Sequence, residues 1–460
     1  MRKSGRNYVQ TVKNEGSGPL ASERGEYECN LPSASPDLRF VPDPDLRDRL
    51  TAIAEGEGFE PVIETEIRRT TRKLKTESGD EIELALDRGE IRTLRNGHAV
   101  VPVSEIELEL KHGSPTALYD VARLIARDTP LTIKIESKAE RGLRALEGKI
   151  AGTRKAGRME LPADATAEEA FRATLSHCLR HIARNTSAVT EARDPEGIHQ
   201  IRVGLRRLRV ALSVLGDAFR VGPFEELRAR AKTLADSLAA TRELDVFATE
   251  LLAPVEVLSK TLELAPLHEA LEDLRKTSWD EAVTLVRSSD FTGFLLDLAA
   301  AIETRAWREG ATPEHLSEFL HSTRALAAGA LDKRLKKARK CARHLSKLDI
   351  AERHRLRIAL KKLRYTAEFF APLFESGPVT EFLVRLGKLQ DLFGALNDAA
   401  MAEHILDRIV KHGAQPGSSS LVEAAAFIEG WHQSRIPLTW EKAKKRWRRF
   451  AKTEPFWAHS

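Results

Sequence analysis

Ile198-His199-Gln200-Ile201-Arg202-Val203-Gly204-Leu205-Arg206-Arg207-Leu208-Arg209 carries one histidine and four arginines in twelve residues. An α-helix turns about 100° per residue, so His199, Arg202, Arg206 and Arg209 fall within an arc of roughly 80°. Leu205, Leu208, Leu212 and Leu215 fall on a different arc and are expected to bury against neighbouring helices. The stretch therefore predicts a helix with a core side and a separate, concentrated cationic side.

The pattern returns 155 positions later. His354, Arg357, Lys361, Lys362 and Arg364 repeat His199, Arg202, Arg206, Arg207 and Arg209 without a gap. A basic helical face is ordinarily a solvated surface, but a repeated histidine-plus-arginine register points to a ligand. The same offset pairs Arg184 with Arg339, Leu205 with Leu360, Leu208 with Leu363, and Phe219-x-x-Gly222-Pro223 with Phe374-x-x-Gly377-Pro378. Glu226, Arg230 and Leu234 match Glu381, Arg385 and Leu389. Ungapped agreement of this length indicates an internal duplication. The expected product is two similar halves of about four helices, spanning about 163–300 and 318–457, with the two basic faces converging.

Working outward, 460 residues suffice for two or three domains with proper cores. No apolar run approaches the ~20 residues needed to span a bilayer. Met1-Arg2-Lys3-Ser4-Gly5-Arg6-Asn7-Tyr8 is basic but lacks the apolar segment of a secretory signal. Cys29, Cys178 and Cys341 lie far apart, which speaks against a zinc site or a disulfide framework and suits a reducing cytoplasm. The net charge of +5 is unevenly placed: residues 1–150 hold 24 Lys+Arg against 27 Asp+Glu, so the basic surplus lies in the remainder. A polyanion footprint is expected there.

Residues 1–147 form the expected β domain, where from Tyr8 to about Glu147 the pattern is mostly period two, as in Tyr8-Val9-Gln10-Thr11-Val12-Lys13, Gly25-Glu26-Tyr27-Glu28-Cys29 and Glu105-Ile106-Glu107-Leu108-Glu109-Leu110-Lys111. Turns are expected at Ser78-Gly79-Asp80, Asp87-Arg88-Gly89 and Arg95-Asn96-Gly97, with Asn96-Gly97 as a hairpin turn. Short helices are expected near Asp45–Glu55 and Pro115–Arg127. A row of carboxylates on one strand face reads equally as the wet face of a sheet or as a polar lumen holding divalent cations.

Tyr8–Lys13, Arg24-Gly25-Glu26-Tyr27-Glu28, Ile82-Glu83-Leu84-Ala85-Leu86-Asp87-Arg88-Gly89, Glu105–Glu109 and Ser137-Lys138-Ala139-Glu140-Arg141-Gly142 resemble the later part of a CYTH domain, the triphosphate tunnel metalloenzyme fold. The resemblance implies an antiparallel β tunnel barrel that hydrolyses inorganic triphosphate with Mg²⁺ or Mn²⁺. It assigns Lys13, Arg24, Arg69, Lys138 and Arg141 to phosphate, and Glu26, Glu28, Asp87, Glu107 and Glu109 to the metals. The family opens with an E-x-E-x-K strand and arginine-bearing strands, whereas this chain begins after them. The expectation is therefore a partial barrel with an open edge and a binding protein rather than a triphosphatase. An in-frame start upstream of Met1 would restore the enzyme.

Residues 148–162, with Gly152, Gly157 and Pro162, read as a linker. From 163 to 457 the chain is rich in Leu, Ala, Arg and Glu with period 3.6, hence all-α. The breakers are Gly222-Pro223, Ala265-Pro266, Thr312-Pro313, Gly377-Pro378 and Gln415-Pro416-Gly417-Ser418. The fold class is α+β multidomain.

Arginine's permanent planar fork suits phosphate oxygens, and a histidine beside it can donate a hydrogen bond or accept a proton. Equally, His199 and His354 can be packing histidines that donate to backbone carbonyls. Arg242-Glu243-Leu244-Asp245 and Asn397-Asp398, at matching places, can orient the arginines or cap helices. Single-stranded nucleic-acid binders interleave aromatic platforms with charge, and here only Tyr365 adjoins a basic face. Trp440–Phe450 reads as a basic amphipathic helix that closes the bundle, extends the polyanion surface or touches an acidic membrane.

His199-x-x-Arg202-x-x-x-Arg206-Arg207-Leu208-Arg209, Arg242-Glu243-Leu244-Asp245, His354-x-x-Arg357-x-x-x-Lys361-Lys362-Leu363-Arg364-Tyr365 and Leu386-Gly387-x-x-Gln390-x-x-x-Gly394-x-x-Asn397-Asp398 resemble a CHAD domain, a conserved-histidine α-helical module, over nearly all of residues 163–457. The resemblance implies two four-helix halves, a basic central surface that binds inorganic polyphosphate, and association with polyphosphate granules. The expected protein is cytoplasmic and binds polyphosphate without a cofactor, through His199, Arg202, Arg206, Arg207, Arg209, His354, Arg357, Lys361, Lys362 and Arg364. A metal-dependent triphosphatase and a nucleic-acid binder are the alternatives. Oligomeric state leaves no signature in these residues.

Overall fold

The structure, a computed structural model, describes residues 1–4, 7–13, 18–20, 26–54, 59–95, 98–149, 151–162, 164–219, 224–257, 262–413 and 419–458. The chain divides into two compact units. One is Met1–Ala122 with Lys134–Ala151, and the other is Arg123–Ile133 with Gly152–Ser460.

The first unit contains two antiparallel three-stranded sheets. Strands β1 (Arg2–Ser4), β2 (Asn7–Lys13) and β3 (Glu26–Leu31) form one, and helix α1 (Pro44–Ala54) follows. The second joins β4 (Ile63–Lys75), β5 (Glu81–Thr93) and β6 (Val100–His112), followed by α2 (Pro115–Asp128) and α3 (Lys138–Leu146). β5 is the central strand, with Asp87 opposite Arg69 on one side and Glu105 on the other. Ile82, Ala85 and Ile91 of β5 and Val103 of β6 are buried.

Two turn expectations have different outcomes. Ser78-Gly79-Asp80 is a turn, with Gly79 at φ +91°. Asp80 accepts hydrogen bonds from Thr76 Oγ1, Ser78 Oγ and Ser114 N, each 2.7 Å long, tying this turn to the end of β6. Asp87-Arg88-Gly89 is not a turn but the middle of β5. A Cβ on Gly89 would lie 1.9 Å from Glu66 O, so the glycine serves a close approach of β4 to β5. Asn96-Gly97 lies outside the described residues, as do Gly222-Pro223 and Gln415–Ser418.

The helical unit runs α4 (Ala167–Ala183), α5 (Thr186–Thr190), α6 (Pro195–Phe219), α7 (Phe224–Ser237) and α8 (Ala239–Val246). A π-helical turn (Phe247–Leu252) leads to α9 (Ala253–Glu256), α10 (Ala265–Arg287) and α11 (Ser289–Glu303). Then come α12 (Pro313–Phe319), α13 (Thr323–Cys341), α14 (Ile350–Phe370), α15 (Ser376–Gly413) and α16 (Ser419–Phe450). Ala265-Pro266, Thr312-Pro313 and Gly377-Pro378 all stand where a helix starts, as proline's missing N–H allows. Among the described residues no helix is long and apolar enough to cross a membrane.

The element bounds repeat with the sequence. Shifting α6 by 155 gives 350–374, against Ile350–Phe370 for α14. Shifting α4 gives 322–338, against Thr323–Cys341 for α13. In α6 the buried side is Ile198, Ile201, Leu205, Leu208 and Leu212, and in α14 it is Leu356, Leu360 and Leu363. Each such side chain contributes roughly 1.5–3 kcal/mol through burial, an upper estimate for a compact unfolded chain. Gly204 lets α6 approach α4, where a Cβ would stand 2.6 Å from Ile182 Cγ1. The Leu215 side chain is outside the described set.

Candidate functional site: two clusters of charge

Helix α14 packs against α6. With its leucines committed to the core, α6 leaves His199, Arg202, Arg206 and Arg209 half-buried on another face. From α14, Arg357 and Lys361 are half-buried, while His354 and Lys362 are exposed. Among the described residues, no carboxylate pairs with Arg206, Arg209, Arg357, Lys361 or Lys362, and the Nε atoms of Arg206, Arg209 and Arg357 are sealed from solvent without an acceptor. Buried donors ordinarily have partners, so these three Nε groups leave hydrogen-bonding capacity unused on the faces of α6 and α14.

The electrostatics show convergence. Burial, then Arg206 and Arg357, push the Lys361 ammonium down to about 7, against a smaller pull from Asp398. Burial and Arg206 lower Arg202 to about 10. Burial and Arg242 push His199 down to about 4, so it is neutral near pH 7 and offers an N–H rather than a charge. Arg357 is lowered by burial and by Arg206. Arg206 of one repeat thus acts on both Lys361 and Arg357 of the other. A neighbouring group joins Arg209 and Lys362 to Arg228, Arg334 and Lys337, all of which disfavour charge on Lys362.

Other members of the two basic registers are spent on architecture. Arg207 is buried and ion-paired with Glu368, its guanidinium 5.1 Å from the Phe369 ring and 5.7 Å from Tyr365. Arg364 donates from Nε to Glu368 at 2.8 Å and from Nη1 to Gln390 Oε1 at 3.2 Å. Arg202 donates through Nη1 to the Ala235 carbonyl. His354 Nδ1 lies 3.0 Å from Asn397 Oδ1. Asp245 turns to α10, accepting from Arg275 Nη2 at 2.9 Å and Trp279 Nε1 at 3.2 Å.

The second cluster belongs to the sheet of β4, β5 and β6. Carboxylate oxygens of Asp87, Glu105 and Glu107 lie within 4.8 Å of one another. Strand pairing sets Asp87 beside Glu105, and the period-two pleat puts Glu107 on the same face. Arg69 grips Asp87 with Nε at 2.7 Å and Nη2 at 2.6 Å, and reaches Glu107 at 2.6 Å. Helix α3, begun by the Ser137/Glu140 capping box, supplies the other cations. Lys138 Nζ is 2.8 Å from Asp87 and 2.6 Å from Glu107 and also pairs with Glu105. Arg141 Nη2 is 2.5 Å from Glu105. Burial alone would raise the Asp87 carboxyl, but hydrogen bonds from Arg69 and Lys138 outweigh it and hold the group below its usual range.

Residues 173–407, which carry the doubled basic register, match the family described as CHAD domain, and this is more than half of the chain. The chain belongs to the CHAD domain family. Residues 1–143 match the CYTH domain. Among solved structures, the chain is similar to the CHAD domain from the plant Ricinus communis. That likeness has 28% identity and a TM-score of 0.55, covering 66% of this chain and 98% of that one. PptA from Streptomyces chartreusis also matches, at 15% identity and a TM-score of 0.47, covering 62% of this chain and all of that one.

Within the CHAD domain, then, the structure gathers His199, Arg202, Arg206, Arg357 and Lys361 and sets Arg209 and Lys362 beside them. It removes Arg207 and Arg364 to the Glu368 clamp and leaves His354 exposed. Within the CYTH domain it gathers Arg69, Lys138, Arg141, Asp87 and Glu107 and adds Glu105, a residue of the recognised strand to which no role was assigned. Glu109 pairs instead with Lys111 at 2.6 Å. Glu28 of β3 is exposed and accepts from Thr11 Oγ1 at 3.1 Å. Neither joins the carboxylate group among the described residues. Lys13 stands exposed on β2 opposite Glu26. Arg24 and the Glu26 side chain lie outside the described set.

Proposed function

We propose that the CHAD domain binds inorganic polyphosphate through the faces of α6 and α14, chiefly by Arg202, Arg206, Arg209, Arg357, Lys361 and Lys362. The observation that carries this reading is the crowd of half-buried cations, centred on Arg206 and Lys361, that form no ion pair among the described residues. Like charges so close disfavour one another, and a ligand of repeated negative charge removes that cost along its length. The neutral His199 adds a hydrogen-bond donor. Phosphate without bases suits the site better than nucleic acid, because the aromatic rings beside it, Tyr365 and Phe369, lie against Arg207. The reading extends to a cytoplasmic protein that gathers at polyphosphate granules.

The test is a titration of the full chain with long-chain polyphosphate and with single-stranded RNA at one salt concentration. Polyphosphate is expected to bind more tightly. Replacing Arg202, Arg206, Arg357 and Lys361 together by alanine is expected to abolish binding while the helical circular-dichroism signal stays. Unchanged affinity in that variant overturns the site.

A second reading rests on the other cluster. Asp87, Glu105 and Glu107 form an all-oxygen donor set suited to Mg²⁺ or Mn²⁺. A divalent ion held there would supply Lewis-acid polarisation of a phosphoryl oxygen. Arg69, Lys138 and Arg141 would turn from the carboxylates to the oxygens of a triphosphate. Phosphate release from triphosphate with Mg²⁺ or Mn²⁺, lost in Asp87→Asn, is the expected sign of this activity. No turnover by the full chain leaves polyphosphate binding alone.

A further inference from the structure

Lys361 differs from other lysines with little-exposed side chains. Lys138 is held by three carboxylates, and Lys444 by Glu441 at 2.5 Å. Lys361 has guanidiniums where those have carboxylates: Arg357 stands one turn earlier on the same face of α14, and α14 packs against α6, whose half-buried Arg202 and Arg206 also act on the lysine. Asp398 of α15 favours its charge, but among the described residues no carboxylate forms an ion pair with it. Among the described residues its Nζ donates to no acceptor and, unlike the Nε atoms of Arg206, Arg209 and Arg357, it is not among the atoms sealed from solvent.

Two chemical consequences meet at that atom. An ammonium ion has no lone pair, but an amine relieved of its proton is a nucleophile, and Schiff-base lysines gain their reactivity beside other cations in this way. With the group lowered to about 7, the free-amine fraction near neutral pH exceeds that of an ordinary lysine by on the order of a thousandfold. The same guanidiniums that displace the proton also draw in anions. A small molecule bearing both a phosphate and a carbonyl would be held and attacked in one place.

We infer that Lys361 is a carbonyl-reactive modification site selective for phosphorylated aldehydes. Arg206 and Arg357 hold the phosphate monoester while Lys361 Nζ attacks the aldehyde carbon. The carbon–oxygen π pair moves to oxygen, which takes up the first of the two amine protons to give a carbinolamine. The oxygen then leaves as water, carrying away the two amine protons, and a C=N bond remains. No oxidant or reductant takes part, and the step reverses with water. The adduct leaves a phosphate among the arginines and so occupies the anion site. The lysine's reactivity needs only the cationic cluster; the consequence for polyphosphate rests on the function proposed above.

The full chain is treated at pH 7.5 with pyridoxal 5′-phosphate, reduced with borohydride, digested and mapped by mass spectrometry. Lys361 is expected to be labelled at least tenfold above every other lysine, including the exposed Lys362. Pyridoxal, which lacks the phosphate, is expected to lose that preference. Lys361→Arg, which keeps the charge, should abolish the major label, and Arg206→Ala with Arg357→Ala should reduce it. Label spread over the lysines, Lys362 labelled in preference, or equal labelling by pyridoxal overturns the inference. A parallel arm adds long-chain polyphosphate first: protection of Lys361 places both ligands in one site. Selective labelling without protection overturns the polyphosphate reading and keeps the lysine assignment.

Discussion

Lys361 carries its charge among guanidiniums, and this gives folding and binding opposite pH dependences. In the unfolded chain its ammonium would titrate at about 10.5, whereas the folded surroundings lower it to about 7. The folded state therefore binds fewer protons between those values, so this group's stability contribution is present above 10.5 and is lost as pH falls through 7. A bound polyanion reverses the preference, because it favours the ammonium. Polyphosphate affinity is thus expected to fall as pH rises from about 7 to 9, by at most about tenfold per pH unit for one group. Titrations across that range check this, and Lys361→Arg is expected to flatten the profile; an equally steep profile in that variant would sink the assignment. His199, at about 4, keeps its neutral form throughout. The ladder of basic residues was legible in the sequence because helical geometry alone gathers them. Which rungs face a ligand was not. Arg206 and Arg207 are adjacent, yet one joins the cationic group and the other meets Glu368, 161 positions away. No local pattern announces that partner.

At the scale of elements, Glu368 decides how α6 and α14 are joined. It accepts from Arg207 across the two repeats and from Arg364 on its own helix. Arg207 is only 5% exposed, so removing the carboxylate strands a buried cation. Glu368→Ala is expected to cost about 3–5 kcal/mol, read as a lower urea midpoint of the helical signal. Arg207→Met combined with Glu368→Leu should recover most of that loss, since the site is apolar around Phe369. A midpoint unchanged in Glu368→Ala would show that the pair contributes nothing. Helix boundaries in this unit were legible because proline and 3.6-residue periodicity are local signals. The sheet unit was less so. Gly89 suggested a turn, but its use is a close strand approach that depends on Glu66, a partner 23 positions earlier. Helix α3 was overlooked although Ser137-Lys138-Ala139-Glu140 has the capping-box spelling. That omission matters, because α3 carries both Lys138 and Arg141.

At the scale of the whole molecule, the two clusters differ in charge balance, and that difference separates their ligand requirements. The sheet cluster sets Arg69, Lys138 and Arg141 against Asp87, Glu105 and Glu107, three cations against three carboxylates. A phosphate that drew the cations away would leave three carboxylates crowded together, so anion binding there calls for a divalent cation to replace them. The helical cluster has no such debt, because among the described residues no carboxylate pairs with Arg206, Arg357 or Lys361. Polyphosphate binding by the full chain is therefore expected to persist in excess chelator, apart from the relief of competition when Mg²⁺ no longer shields the polyanion. Triphosphate binding by the variant lacking Arg202, Arg206, Arg357 and Lys361 is expected to require Mg²⁺ or Mn²⁺ and to vanish in Asp87→Asn. Calorimetry on these chains, with and without chelator, measures both. Metal-free polyphosphate binding that survives the fourfold replacement would move the polyanion site away from α6 and α14. Metal-free triphosphate binding lost in Asp87→Asn would show that the sheet cluster exchanges its ion pairs unaided.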